Sequence, residues 1–264
     1  MLNHNDMLPY DTLNKIITEG GTENYAAAEP FASGVYDNVF DEALLDIVID
    51  EFEQSQKDWH EFESKYEKKL QMNTDRNFGP VTRAFLHNLN SEPFLEFLEK
   101  LTGITGLIPD PYLVGGGLHK IPRGGKLGIH VDFNRHKQMR VFRRLNVLLY
   151  LNKDWKEEYG GHFELWDGLN GSCVTKILPV YNRMAIFSTT ADSFHGHPNP
   201  LNCPEDRNRI SLALYYYTAE ERGDQAMGAH STQFLTDDLK RDDLTDQSLK
   251  ARAKAAAKTL LGRS

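Results

Sequence analysis

The stretch LNVLLYLNKDWKEEYGGHFELWD, residues 145–167, has the pattern from which the class of fold is predicted. A short apolar run precedes a polar segment with a Gly-Gly pair, and a second short apolar run follows it. Each run has the length of a β-strand, and the connection between them is too short for a crossover helix. The stretch therefore predicts neighbouring strands of a mainly antiparallel sheet and disfavours a doubly wound parallel sheet.

The same texture extends from about residue 108 to residue 218. Short apolar segments recur between Gly, Pro, Asn and Asp residues, among them VTKILP at 174–179, RMAIFST at 183–189 and ISLALYYYT at 210–218. Strands at this density are typical of an all-β sandwich or barrel. We therefore expect a mainly β core over residues 108–220.

Helical patterns flank this core on both sides. The charged run at 41–72 has apolar residues at roughly helical spacing and predicts one amphipathic helix or two. Two more helices are expected at 80–90 and 92–103. The Ala/Lys-rich segment at 246–261 predicts a C-terminal helix, which either packs on the core, packs on a partner subunit in a homodimer, or is a frayed helix in solvent. Residues 1–107 are thus expected to be a helical supporting region of the same domain, and residues 221–264 a helical tail.

Composition limits the class of protein. The chain has 264 residues, a formal net charge of −8 and two cysteines, Cys173 and Cys203. The negative charge argues against a nucleic acid or an anionic membrane as partner, and no apolar run is long enough to span a membrane. Two cysteines imply no disulfide framework, and the N-terminus lacks a secretory signal pattern. These features predict a soluble, cytoplasmic protein with a single core, and they do not indicate its function.

His130 and Asp132, in the sequence HVD, are the first candidates for a metal site. Residues i and i+2 of a strand point to the same face, so an imidazole and a carboxylate project together. The segment FHGHP at 194–198 supplies a further histidine, either His195 or His197. Two imidazoles and one carboxylate form the facial triad of non-haem iron(II) oxygenases, which leaves coordination positions open.

Arg209 lies beyond the histidine pair, on the predicted strand RISLALYYYT. Two open positions of such an iron accept a 2-oxo acid and the third accepts dioxygen. The far carboxylate of the 2-oxo acid then needs a cation, and the planar fork of Arg209 suits a carboxylate. Ser211 shares a strand face with Arg209, so its hydroxyl can add a second hydrogen bond.

Four segments together resemble the iron(II)/2-oxoglutarate dioxygenases, specifically their prolyl 4-hydroxylase-like branch. They are GGGLHKIPRGGKLGIHVDFN at 115–134, the stretch at 145–167, FHGHPNP at 194–200 and RNRISLALYYYT at 207–218. The phrase SGVYDNVFDEALLDIVIDEF at 33–52 is similar to the helical entry of this branch. The resemblance implies a double-stranded β-helix, a jelly-roll or cupin-like fold, with flanking helices.

The resemblance also implies roles for individual residues. His130, Asp132 and His195 match the iron ligands, and Arg209 matches the base that pairs with the distal carboxylate of 2-oxoglutarate. His195 is preferred over His197 because the flanking phenylalanine and glycine match the family's pattern. No further catalytic residue is implied beyond these metal ligands.

Other residues are expected around the two bound groups. Tyr150 matches a tyrosine whose hydroxyl helps to hold the 2-oxoglutarate carboxylate, and Ser211 and His197 are expected to line the same pocket. Many relatives carry a tyrosine nine or ten residues before the first iron ligand, where this chain has Lys120 and Ile121.

Three residues are expected to contact the substrate. His119 lies beside the position of the missing tyrosine and can take its place. Asn134 and Arg144 follow the HVD motif, and Arg144 ends the basic run RHKQMRVFRR at 135–144. This run either binds an anionic substrate or is an ordinary solvated loop.

Asp132 decides between the chemistries of this superfamily. Halogenases replace that carboxylate with a small residue, so its presence favours hydroxylation, or a desaturation or epimerisation. The resemblance implies that 2-oxoglutarate is converted to succinate and carbon dioxide, with ascorbate as the reductant in vitro. A prolyl residue in a peptide or protein is the favoured substrate. A free amino acid, a sugar or another small metabolite stays open, as do a cupin-type metalloprotein without 2-oxoglutarate and a binding module without activity.

Overall fold

The segments predicted as strands form a largely antiparallel sheet that curves into a nearly closed barrel. This architecture is seen in a computed structural model that describes residues 7–55, 59–168, 170–220 and 229–235. The described strands are β1 Ser33–Asp37, β2 His60–Glu63, β3 Glu67–Met72, β4 Ile108–Pro109, β5 Gly117–Pro122, β6 Lys126–Val131, β7 Phe142–Tyr150, β8 Phe163–Asp167, β9 Ser172–Ile177, β10 Arg183–Ser188, β11 Ser193–His197, β12 Asn208–Thr218 and β13 Gln233–Phe234. The predicted double-stranded β-helix is confirmed.

The order of the strands brings the two histidine-bearing strands together. Along the sheet the order is β1-β10-β7-β12-β5-β3-β6-β11-β8-β9, with β13 on β6, β2 on β3 and β4 on β12. Every one of these described pairs is antiparallel. β6 and β11 therefore lie side by side, while β5, β12 and β7 form a neighbouring wall of the same barrel.

Helices cover one face of this sheet. They are α1 Tyr10–Thr18, α2 Gly21–Ala27, α3 Glu42–Gln54, α4 Pro80–Leu89 and α5 Glu92–Thr102. α3 begins at a capping aspartate, since the side chain of Asp41 accepts a hydrogen bond from the backbone N–H of Leu44 at 3.0 Å. α5 has Pro93 in its first turn and ends at Gly103, whose φ of +69° is the left-handed conformation that glycine adopts without strain.

Successive side chains of β7 alternate between the apolar core and the inside of the barrel. Leu145, Val147 and Leu149 are buried in the same apolar cluster as Leu44 of α3 and Phe94 of α5. Each such aliphatic side chain contributes roughly 1.5–3 kcal/mol when it leaves water. The intervening residues of β7 point to the inside of the barrel, because successive side chains of a strand alternate between faces.

The prediction of a helical pattern over residues 41–72 was wrong in its second half. α3 ends at Gln54, and β2 and β3 form a hairpin after it. β3 pairs with both β5 and β6, so two ladders of backbone hydrogen bonds determine its conformation and override the helical spacing. Residues 1–107 are therefore not only helical, since they supply β1, β2 and β3 to the sheet.

The tail contributes to the barrel at one place. β13 pairs with β6, with Phe234 opposite His130. The C-terminal helix predicted at 246–261 lies outside the described residues, and so does the homodimer contact assigned to it. Within the ranges that the structure describes, no helix has the length and hydrophobicity needed to cross a membrane.

Candidate metal centre and co-substrate pocket

His130, Asp132 and His195 meet inside the barrel. Their ligand atoms all lie within 4.8 Å of one another. Oδ1 of Asp132 is 3.6 Å from Nε2 of His130, and Oδ2 is 3.4 Å from Nε2 of His195. Both histidines are only 4% exposed. Two imidazole nitrogens and a carboxylate that converge on one point have the donor set that suits non-haem iron(II).

Backbone carbonyls orient both imidazoles toward that point. Nδ1 of His130 lies 2.8 Å from the carbonyl oxygen of Gly128, and Nδ1 of His195 lies 2.8 Å from that of Ser193. A carbonyl only accepts, so each Nδ1 carries the proton and each Nε2 presents its lone pair. Burial, together with the neighbouring imidazole, lowers the pKa of His130 and keeps its ring neutral. The donors therefore fit a bound iron ion.

Strand register explains how two distant histidines meet. His195 of β11 pairs directly with His130 of β6, and their ring centroids are 4.4 Å apart. Two residues later the register shifts at a β-bulge, where the backbones approach closely. A Cβ at Gly196 would lie 2.6 Å from the carbonyl oxygen of Gly128. Glycine at 196 is thus required for this approach.

A buried network that the sequence analysis missed holds Asp132. Nη2 of Arg143 lies 3.0 Å from Oδ2 of Asp132, and Nδ2 of Asn146 donates to the same oxygen at 2.8 Å. Arg143 also donates from Nε to Asn146, and its guanidinium lies 3.4 Å from the ring centre of Tyr215. Burial alone would raise the pKa of Asp132, but Arg143 and the two imidazoles hold it well below its usual range. The carboxylate is therefore charged and oriented.

Arg144, expected to contact the substrate, does not line this cavity. It donates to the hydroxyl of Thr218 and lines a separate cleft. β7 carries a bulge here, because Tyr216 pairs with Leu145 while Tyr217 pairs with Arg143. The extra residue changes which side chains face inward, so Arg143 enters the cavity in place of Arg144.

Arg209 forms the cationic end of the cavity. It is 4% exposed, its Nε donates to the carbonyl oxygen of Gly161 at 2.9 Å, and Nη2 lies 3.5 Å from the hydroxyl of Tyr150. Among the described residues no carboxylate forms an ion pair with it. Burial lowers the pKa of Arg209, with partial compensation from Tyr150. A buried cation without a counter-ion is costly, so this end of the cavity suits the carboxylate of a ligand.

Three expected pocket residues form one row across neighbouring strands. Ser211 of β12 pairs with His119 of β5 on one side and with Tyr150 of β7 on the other. Ser211 and His119 line the cavity. Tyr150 is fully buried and is not a lining residue, but its hydroxyl contacts Arg209, which is one. Burial and the charge of Lys69 lower the pKa of His119 to about 3, so its ring is neutral.

His197 lies in the cavity that contains His130, Asp132 and His195, which together are the iron-type triad; this cavity is the iron-type cavity. It is 2% exposed, and neither ring nitrogen has a hydrogen-bond partner among the described residues. Burial and the charge of Arg209 lower its pKa well below the usual range. An unpartnered imidazole in a polar cavity is placed to hydrogen-bond a ligand.

Phe234 of β13 lines the cavity beside His130, and no local sequence pattern predicts it. The cavity has a volume of about 480 Å³. Tyr66, from the turn between β2 and β3, stacks on Phe234 of β13 with ring centroids 4.7 Å apart, and Phe234 also contacts the ring of His130. Asn134 lies outside the described cavity lining and accepts a hydrogen bond from the backbone of His230. Its contact with substrate stays a prediction.

The family comparison agrees with this geometry. Residues 116–217 match the family model of the 2OG-Fe(II) oxygenase superfamily. The matched range contains the three converging ligands, Arg143 and Arg209. No curated protein matches the chain.

Several solved structures have a similar fold. One is a prolyl hydroxylase from Trichoplax adhaerens in complex with a hypoxia inducible factor peptide fragment, with 17% identity and a TM-score of 0.53 over 79% of this chain and 90% of that chain. A second is a prolyl-4-hydroxylase from Pseudomonas putida, with 13% identity and a TM-score of 0.54 over 77% and 99%. A third is HygX from Streptomyces hygroscopicus with nickel, 2-oxoglutarate and hygromycin B bound, with 11% identity and a TM-score of 0.51 over 82% and 95%.

The three solved structures are all less than 20% identical in sequence to this chain, so they show a similar fold only. Together with the family match and the triad, they confirm the predicted resemblance and the expected cofactors, iron(II) and 2-oxoglutarate. They leave the substrate undetermined, because proteins that share a fold act on unrelated substrates.

Proposed function

Because residues 116–217 match the 2OG-Fe(II) oxygenase superfamily, we propose that this protein hydroxylates an unactivated C–H bond, with a prolyl residue of a peptide or protein as the favoured substrate. One observation carries the reaction class. The converging donors of His130, Asp132 and His195 share a cavity with Arg209, a buried cation without a described counter-ion. Such a cavity suits a metal and a dianionic co-substrate side by side.

The residues of the chain bind and orient the reactants. Bound iron(II) and 2-oxoglutarate supply the oxidising chemistry, in which dioxygen is reduced while 2-oxoglutarate becomes succinate and carbon dioxide. His130 and His195 are held by backbone carbonyls, so their lone pairs stay directed at the metal. Arg209, supported by Tyr150, binds the distal carboxylate and fixes the direction of the co-substrate.

One part of the cavity wall, beside the triad, is apolar. Apolar side chains of Phe163, Phe187 and Leu148 line the cavity beside the triad. The rings of Phe187 and His195 are 4.7 Å apart. An apolar wall of this kind offers water no hydrogen-bond partner and would limit side reactions beside a bound metal.

A small-molecule substrate is the second candidate. HygX, whose solved structure contains hygromycin B, has a fold similar to that of this chain. A free amino acid, a sugar or another metabolite therefore stays a candidate beside a peptide. A cupin-type metalloprotein without 2-oxoglutarate is disfavoured, because it would leave Arg209 buried without a counter-ion.

Coupled turnover tests the proposal. The purified protein is supplied with iron(II), ascorbate and 2-oxoglutarate, and succinate is measured with and without candidate substrates. We expect succinate release that is lost in His130→Ala and kept in His87→Ala, a matched change at a histidine on the surface of α4. Equal release from His130→Ala and the unsubstituted protein would remove the proposal.

Substrate class is decided in the same assay. Proline peptides, free amino acids and sugars are screened for a mass gain of one oxygen atom. Oxidation of a proline peptide supports the favoured substrate. Oxidation restricted to free amino acids or sugars establishes the second candidate instead.

A further inference from the structure

A second cleft opens directly beside the iron-type cavity. It has a volume of about 1060 Å³ and shares three lining residues with the first cavity, Val114, Phe133 and Thr232. The two spaces are therefore neighbours along one wall. A ligand that extends past Val114, Phe133 and Thr232 would occupy both spaces.

Cations dominate this cleft. Arg135, Lys137 and Arg140 line it and are exposed, and none of its described lining residues is acidic. Within the described ranges, no carboxylate lies at ion-pair distance from any of the three. The chain as a whole has a formal net charge of −8, so this concentration of positive charge is a local feature that attracts anions.

The loop that carries these cations is held in a fixed shape. His136 in its centre is 1% exposed, and its Nε2 lies 3.3 Å from Oδ1 of the equally buried Asp110. Nδ1 of His136 accepts from the backbone of Met139, and its carbonyl accepts from the backbone of Arg140 at 2.8 Å. A loop anchored in this way presents its exposed cations at defined positions, unlike an unanchored solvated loop.

We infer that the substrate is a peptide whose anionic side chains, carboxylate or phosphate, bind Arg135, Lys137 and Arg140 while the hydroxylated residue lies at the metal centre. Guanidinium and ammonium groups form charge-assisted hydrogen bonds with both kinds of anion. The cleft alone is as large as pockets that hold drug-sized ligands, roughly 300–1,000 Å³. A peptide segment fills it, whereas a free amino acid bound at the metal does not reach it. This inference rests on the proposed function.

A nucleic acid fits the surface less well. Its backbone repeats a negative charge at every nucleotide, and proteins that bind it carry extended basic stripes. Here three cations lie in one bounded cleft of an acidic chain. The acidic peptide is therefore the partner that the charge distribution favours.

Peptide binding tests this inference without turnover. The probes are three fluorescent peptides with a central proline, flanked by glutamates, by glutamines or by phosphoserines, and anisotropy is measured on the full chain at one ionic strength. We expect an anionic peptide to bind about tenfold more tightly than the glutamine peptide. The stronger of the glutamate and phosphoserine peptides identifies the anion.

Charge substitutions locate the site. Arg135→Gln/Lys137→Gln/Arg140→Gln should remove the preference for the anionic peptide. The matched control Lys15→Gln/Arg76→Gln/Lys100→Gln changes the net charge equally at exposed positions outside the cleft, and it should keep the preference. Both variants alter exposed side chains, and far-ultraviolet circular dichroism checks that they are folded.

Three outcomes would overturn the inference. The first is that the anionic and glutamine peptides bind equally well. The second is that the control variant loses the preference for the anionic peptide as fully as the cleft variant does. The third is that a single-stranded oligonucleotide binds more tightly than either anionic peptide. Succinate release by the unsubstituted protein reports on the proposed function separately. If succinate is released but anionic peptides are not preferred, only the inference about anionic peptides fails. If no succinate is released, the proposed oxygenase function fails.

Discussion

Nη2 of Arg143 lies 3.0 Å from Oδ2 of Asp132, inside the cavity that contains the iron-type triad. Arg143 is buried and Asp132 is largely so, with side-chain exposures of 1% and 11%, so each charge depends on the other for compensation. Asn146 donates to the same carboxylate oxygen at 2.8 Å. A carboxylate held through one oxygen keeps a defined orientation and has its other oxygen available to a metal. Hydrogen-bond partners of metal ligands commonly matter nearly as much as the ligands.

Substitution of Arg143 should therefore weaken metal binding. We expect Arg143→Gln to lower the affinity for iron(II) by about 10–100-fold, because Asp132 loses its orienting cation. Arg144→Gln is the matched control, since it removes the same side chain from the next residue, outside the cavity. Anaerobic iron(II) titrations measure both. Similar affinities for the two variants would refute a positioning role for Arg143.

The two histidines of FHGHP should separate in binding experiments. His195→Ala should abolish iron(II) binding, because it removes one of three ligand atoms. His197→Ala should keep iron(II) but weaken 2-oxoglutarate about 2–10-fold, the effect of one lost hydrogen bond of roughly 0.5–1.5 kcal/mol. Titration of 2-oxoglutarate into the iron(II) protein, followed by its metal-centred absorbance, measures the second effect. Loss of iron from His197→Ala alone would exchange the two assignments.

Arg209 should affect ligand binding and stability in opposite directions. Arg209→Met should weaken 2-oxoglutarate by more than about 100-fold, because the distal carboxylate loses its charged partner. Without ligand the same variant should unfold at an equal or higher temperature, since a buried cation without a described counter-ion is removed. Thermal unfolding with and without 2-oxoglutarate checks both effects.

The control for Arg209 lies on the same segment of chain. Arg207 donates to the carbonyl oxygen of Lys153 and does not line the iron-type cavity. Arg207→Met should keep the stabilisation that 2-oxoglutarate confers. A ligand-dependent shift of equal size in Arg209→Met and Arg207→Met would contradict the assignment of Arg209.

His119 should contribute to acid sensitivity of the fold. Its pKa is near 6.5 in an unfolded chain, and burial, with the charge of Lys69, lowers it to about 3 in the folded protein. Between these values the unfolded state binds the extra proton, so stability falls as the pH drops through this window. His119→Gln removes the titrating group and keeps a donor for the carbonyl oxygen of Gly115, which His119 Nε2 approaches at 3.0 Å.

Urea unfolding measures this contribution. Midpoints are compared at about pH 7, above the expected window, and at about pH 4, inside it. The midpoint should fall less in His119→Gln than in the unsubstituted protein. An identical fall in both proteins would show that the ring of His119 takes up no proton on unfolding.

Several features were predictable because they depend on local pattern. The HVD motif puts His130 on β6 and Asp132 directly after it on the same side, since side chains of extended chain alternate with a period of two. Pro93 and Gly103 mark the ends of α5 through their fixed and left-handed backbone conformations. The core strands followed from short apolar runs between turn residues.

Other features were not predictable, because non-local pairing determines them. The run at 41–72 has helical spacing, yet β3 is extended because it completes ladders with β5 and β6. β13 lies beside β6 through pairing across about a hundred residues, so the contact between Phe234 and His130 has no local signal. At such positions, hydrogen bonds to strands distant in sequence outweigh the local preference of the residues for a helix.

Which residues can bind iron and a 2-oxo acid is already visible in the sequence, because their chemistry and strand-face periodicity are local properties. The tertiary structure alone decided which of two adjacent arginines serves the site. Simple alternation along β7 puts Arg144 on the face of Asn146 and Tyr150, but the bulge opposite Tyr216 and Tyr217 turns Arg143 inward. A bulge arises where two strands pair with unequal numbers of residues, so it is a property of the pair and not of either strand.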